Sequence, residues 1–257
     1  MKIAALFGGR NRVLWIAGAA SFTIAAIVTA PATLAEAIAE KNAPLLSIGA
    51  ANGTVWRGGF SDVSYNGVLL GDLSFNVRPL ALLTGRIAAD MSMRDGALSA
   101  KGRVAISPSR IEVRDATAIF NLGAIRQYTF FGARYEGAAG LKAKMLSLSK
   151  SGCEADSAVV STDVLDTLAK QWSGKTFPLS GTIACKGGGF DLALSGASED
   201  GTATVDVTVA PDFNYTLTFT AEPTRDEAAA ALRQFGFEEI SGRLSWRAVG
   251  RLKGLNS

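Results

Sequence analysis

Two stretches toward the C-terminal end alternate apolar and polar residues almost without interruption. Ala203, Val205, Val207 and Val209 interleave with Thr202, Thr204, Asp206 and Thr208; Tyr215, Leu217, Phe219 and Ala221 interleave with Thr216, Thr218 and Thr220. A period of two is the signature of a half-buried β-strand, because successive side chains on a strand point to opposite faces. Between the runs, Pro211-Asp212-Phe213-Asn214 has turn chemistry, so the two are predicted to pair as a hairpin. The same alternation recurs upstream in Ile87, Ala89, Met91 and Met93, in Leu73, Phe75 and Val77, and in Phe190, Leu192 and Leu194. A content of 28 Gly and 7 Pro in 257 residues suits a sheet with many tight turns. The expected fold is mostly β: an N-terminal transmembrane helix, then an extended antiparallel β-sheet or sandwich with one or two short helices.

Helical signals are few. Thr224-Arg225-Asp226-Glu227 has capping-box spacing before residues 228–235, and Gly236 can take the left-handed conformation that stops a helix. Residues 163–172 carry Leu165, Leu168 and Trp172 on one helical face, and a short turn is predicted over 79–83.

The N-terminus bears on the compartment. Residues 1–12 form a basic head with Lys2, Arg10 and Arg12, and residues 13–35 carry no charge. An apolar run of about 20 residues spans a bilayer, and the basic flank stays cytoplasmic. The rival reading is a cleaved signal peptide, since Ala30-Pro31-Ala32 has A-x-A spacing. The uncleaved anchor is favoured because the uncharged run is longer than a signal core. Both readings export the body, residues 36–257, to the periplasm. Residues 36–43 read as a polar exit from the membrane, with Pro44 opening the folded part.

Charge and residue choice exclude other functions. The three basic residues of the head leave 23 of the 26 Lys and Arg to face 23 Asp and Glu, a balance without the footprint of a nucleic-acid binder. The absence of histidine removes the commonest general base and zinc ligand. Cys153 and Cys185 are too few for a metal cage, which leaves one disulfide or two buried thiols.

Several stretches imitate catalytic motifs. Ser173-Gly174-Lys175-Thr176 ends like a P-loop, but Ala169 stands where a glycine is needed. Ser147-Leu148-Ser149-Lys150 has serine–lysine spacing, yet residues 141–148 read as a strand, which puts positions three apart on opposite faces. Gly187-Gly188-Gly189 leads into the alternation at Phe190 and reads as a hairpin turn; Glu199-Asp200 and Glu238-Glu239 read as solvated turns. No catalytic, cofactor or metal site is expected, and the chain is read as not an enzyme.

One ordered series of residues carries a resemblance. Gly53-Thr54-Val55-Trp56-Arg57-Gly58 is followed by Gly71 in Leu70-Gly71-Asp72-Leu73, by Phe75, by Pro79, by the pair Leu82-Leu83 and by Gly85. This order resembles the N-protein family of type II secretion systems, with Phe75 where a tryptophan is usual, and the resemblance covers most of the chain after Pro44. It implies an accessory inner-membrane subunit that supports export of folded proteins across the outer membrane through binding and assembly contacts. The implied partners are the inner-membrane platform and the C-type subunit or the secretin. A remote likeness to AsmA-like periplasmic proteins keeps a second hypothesis, lipid binding or transfer with phospholipid as ligand. In an oxidising periplasm, two exported cysteines are expected to pair as a Cys153–Cys185 disulfide.

Overall fold

The computed structural model describes residues 28–124, 129–130, 133–134, 137–149, 152–166, 176–212 and 214–251, together with residues 19, 21, 22, 25 and 26. Two α-helices of the body are α1 (Thr33–Asn42) and α2 (Asp226–Gln234). The first strands are β1 (Leu46–Ser47), β2 (Ala50–Gly53), β3 (Arg57–Tyr65), β4 (Val68–Val77), β5 (Ile87–Arg94), β6 (Leu98–Ser107) and β7 (Arg110–Asn121). A separate pair, β8 (Thr129–Phe130) and β9 (Ala133–Arg134), precedes β10 (Ala138–Ser149), β11 (Gly152–Asp156) and β12 (Val159–Thr162). The last are β13 (Leu179–Lys186), β14 (Gly189–Ser198), β15 (Gly201–Val209), β16 (Asn214–Pro223), β17 (Glu238–Ile240) and β18 (Arg243–Arg251).

All except β8 and β9 join one antiparallel sheet in the order β1-β3-β4-β5-β6-β7-β10-β12-β13-β14-β15-β16-β18-β17, with β2 beside β3 and β11 beside β10. Of the two architectures expected, the chain adopts the extended sheet. The hairpin expected around residues 211–214 is present, pairing Val209 with Tyr215 and Val205 with Phe219. Phe213 itself lies outside the described residues.

Register explains why one sheet suffices. Directly paired residues share a face. Phe60 pairs Leu73, Leu73 pairs Met93, Met93 pairs Ala100 and Ala100 pairs Ala118. The row continues from Ala118 through Leu141, Val160 and Gly181 to Leu194. It then reaches Val205, Phe219 and Trp246. One face is therefore apolar from one end of the sheet to the other. On the opposite face of the last strands, Thr204 pairs Thr220 and Asp206 pairs Thr218.

Two parts of the apolar face are covered by helices. Against α1, Ala35 and Ala39 pack on a cluster of Ala32, Ile48, Phe60, Val63 and Met93. At the other end Leu232 of α2 packs with Phe219, Leu244, Phe237 and Leu179, and the rings of Phe219 and Phe237 meet edge to face at 5.3 Å. In the middle, small residues, Ala116, Ala143 and Ala158, form the core, with Val113, Leu141, Leu146, Ala155 and Ile183 packed against them.

Several expectations need correction. The folded part does not open at Pro44: Thr33–Asn42 is helix α1, Pro31 bridges Thr54, and Ala32 is 1% exposed. The run expected to lie in the bilayer therefore ends inside the folded body, because alanine and threonine serve a packed helix as well as a membrane one. Helix α2 forms, but Thr224 does not cap it; its hydroxyl donates to the Glu199 carbonyl, and Arg225 occupies the cap position without a side-chain capping bond. The turn after Pro79 is a 3₁₀ helix, Pro79–Thr84, closed by Gly85 at φ 69°. In the predicted helix 163–172, Leu165 is buried, and residues 167–172 lie outside the described residues. Among the described residues no helix is long and apolar enough to cross a membrane.

Candidate functional site

In an antiparallel meander, successive connections fall alternately on the two rims of the sheet, so its order sorts the turns. The β2–β3, β4–β5, β6–β7, β10–β11, β13–β14 and β15–β16 connections share one rim. The N-terminal segment joins the sheet at that same rim: the Val55 amide donates to the Ala30 carbonyl at 2.9 Å, and the Ala32 amide donates to the Gly53 carbonyl at 3.1 Å.

Most of the motif residues are gathered there. The Thr54 hydroxyl accepts from the amides of Trp56 and Arg57 at 3.4 and 3.2 Å, which shapes the turn, and Gly53 sits at φ 81°, a conformation that a side chain disfavours. The Trp56 carbonyl accepts from the Val77 amide at 2.7 Å and so ties this turn to the strand that ends in Pro79. Gly58 follows at the start of β3, paired with Phe75, and Gly85 closes the Pro79 turn. Gly71 lies toward the opposite rim; at φ 123°, a Cβ there would run into the Arg94 carbonyl. The series that reads as sheet punctuation is thus largely the fabric of one rim.

Among the described residues, the two helices do not close the apolar face at this rim. A cavity of about 910 Å³ lies between four of the turns, lined by Ile106, Ile111, Leu148, Phe190, Val209 and Pro211 among others. Ile87, Ile106, Ile111 and Leu148 belong to one paired row, which ends at Cys153. The Cys153–Cys185 disulfide is formed, with its Cα atoms 5.6 Å apart, and it links β11 to β13 beside this row. The sequence pattern foretold the alternation of the strands that carry Ile87, Phe190 and Val209 and a strand over 141–148, but not the strands of Ile106 and Ile111, nor that these ends would meet at one rim.

Several charged groups near the rim are held in pairs on the polar side. The Arg110 Nε donates to the Ser147 hydroxyl at 2.6 Å, and its Nη2 pairs with Glu154. Ser147 is buried with a guanidinium as neighbour, a donor that cannot accept its proton; Lys150 lies outside the described residues. Asp90 receives two bonds from Arg78, at 2.9 and 3.0 Å, and one from Arg103 at 3.3 Å. The Arg78 bonds, with help from Arg103 and against slight desolvation, hold its carboxyl below the usual range.

The other look-alike motifs resolve simply. Gly187 and Gly188 form the turn between Lys186 and Gly189, as predicted. Residues 173–175 of the P-loop imitation lie outside the described residues. Glu199 and Asp200 form a turn, but Asp200 is not fully solvated: it pairs with Arg225 at 3.2 Å, with its side chain mostly buried. Glu238 and Glu239 lie in β17 rather than in a turn, and Glu239 pairs with Arg233 at 2.9 Å.

One long antiparallel meander, apolar on a single face and partly roofed by two short helices, defines the class of protein to which this chain belongs. The family model described as Type II secretion system (T2SS), protein N, matches residues 44–247, and the chain belongs to that family. No curated protein and no solved structure matches it.

Proposed function

We propose that this protein is an accessory subunit of the type II secretion machine, anchored in the inner membrane with its sheet in the periplasm. It supports the passage of folded proteins across the outer membrane through assembly contacts rather than chemistry. The family match over residues 44–247 carries this reading. The partners it implies are other secretion components, among them the inner-membrane platform and the C-type subunit or secretin. The comparisons lend nothing to the AsmA-like lipid-transfer alternative.

Retention of the N-terminal segment is supported by how tightly the body holds its end. Cleavage after Ala32 would remove a residue 1% exposed in the core and both backbone bonds that tie residues 30–32 to β2 and the following turn. A retained segment with a basic head fixes the orientation, with the head in the cytoplasm.

Deletion of the gene tests the proposal. Type II substrates should accumulate folded in the periplasm and fall in the medium, and the gene carrying Ser147→Ala or Lys150→Ala should restore secretion fully. Normal secretion together with an altered outer-membrane lipid composition would overturn the reading in favour of lipid handling.

A further inference from the structure

The rim that receives the N-terminal segment differs from the opposite rim in two independent ways. It carries unburied aliphatic side chains on a short, rigid turn: Leu80 is 77% exposed and Leu83 is 85% exposed, with Leu82 between them and Ile87 just beyond. They sit on the 3₁₀ helix Pro79–Thr84, locked between Pro79 and Gly85, so they cannot fold back onto the core without breaking that turn. A soluble surface gains nothing from three leucines held outward in this way.

The second difference is charge. The turns of this rim carry Arg57, Arg78, Arg86, Arg110 and Lys186, with Asp212 as their acidic residue; Arg78, Arg110 and Lys186 pair with Asp90, Glu154 and Asp191 on the strands. Arg86 follows the leucine turn in sequence, Arg57 pairs with Asn76 near the end of the strand that leads into it, and both are exposed. The opposite rim is mixed instead, with exposed Glu199, Asp226, Glu227, Glu238 and Glu239 beside exposed Arg94, Arg225, Arg233 and Arg243. Half-buried Trp56, in the turn bonded to the end of β4, adds the amphipathic ring that favours a membrane–water boundary.

We infer that this rim lies on the periplasmic surface of the inner membrane, with Leu80, Leu82 and Leu83 inserted among the lipids and Arg57 and Arg86 at the level of anionic headgroups. The inference rests on the anchored reading above and adds to it a second contact, made by the body itself. Residues 30–32 bond directly to the turn that holds Trp56, so an apolar segment leaving the bilayer at residue 30 places this rim, and not the other, against the lipid. Leucines that insert and arginines that attract phosphate are the two terms by which an interfacial surface binds. With both engaged, the sheet stands with its opposite rim farthest from the membrane, and the mouth of the apolar cavity faces the lipids.

Depth-dependent quenching tests this. The full chain, carrying either Leu83→Cys or Glu199→Cys labelled with an environment-sensitive fluorophore, is inserted into vesicles of phosphatidylcholine and phosphatidylglycerol that contain a lipid spin-labelled high on its acyl chain. The label at position 83 should be quenched severalfold more than the label at 199 on the far rim, and Leu80→Cys should repeat the result. Equal quenching at 83 and 199, in a chain that resists alkaline carbonate extraction, overturns the inference while leaving the anchor intact; it is also the outcome if a protein partner covers the turn. Release of the chain by carbonate overturns the anchor reading and the inference with it.

Discussion

At the residue scale, the clearest determinants are side chains that constrain the backbone or one another. The Cys153–Cys185 disulfide closes a loop with a sequence separation of 32. Replacing both cysteines by alanine should lower unfolding free energy by about 3–4 kcal/mol in the chain-entropy model, read from urea titrations of oxidised and variant protein. Undiminished stability would mean that the unfolded chain gains no freedom from losing the link. Asp90 offers a pH signature. Its folded carboxyl titrates below its ordinary value of 3.8, so its bonds to Arg78 and Arg103 contribute stability above that pH. That contribution disappears as pH falls through the folded value. Asp90→Asn should therefore weaken the protein slightly at neutral pH and flatten the loss of stability in the acid range below 3.8. The effect is small because Arg78 and Asp90 are each nearly half exposed.

At the element scale, helix α2 shows what could and could not be read from sequence. Its existence and its stop at Gly236, where φ is 85°, follow from local chemistry. The cap does not, because Thr224 finds a better-placed acceptor in the Glu199 carbonyl, on a turn that is distant in sequence and adjacent only after folding. That helix α1 packs on the body ahead of Pro44 is hidden in the sequence for a related reason: its apolar side is built from alanines, and Ala35 and Ala39 acquire meaning only against Ile48 and Phe60. The strands were far more legible, since a period of two is local and the paired rows only extend it. Leu232 is buried against Phe219 and Phe237. Leu232→Ala should cost about 2–4 kcal/mol. A loss of a few tenths, measured by denaturant unfolding, would show that α2 merely rests on the sheet.

At the scale of the whole molecule, the candidate site was legible in its materials but not in its place. Gly53, Trp56, Pro79 and Gly85 could be picked out one by one, whereas their meeting on a single rim depends on strand order, which no local pattern encodes. The cavity between the β6–β7 and β15–β16 turns depends on the same order. The N-terminal segment enters this long-range design as well. Ala30 and Ala32 continue the pairing of the sheet beyond β2, and Ala32 fills a position in the core under α1. A body that begins at Thr33, as signal cleavage would leave it, should therefore be less stable than one that begins at Ala25. The difference should be roughly 2–3 kcal/mol, from two lost backbone bonds and one uncovered apolar site. Urea unfolding of the two soluble forms, both with the disulfide intact, measures it directly. Equal midpoints would show that the body does not need residues 30–32, and would remove the structural argument that favours a retained anchor over a cleaved leader.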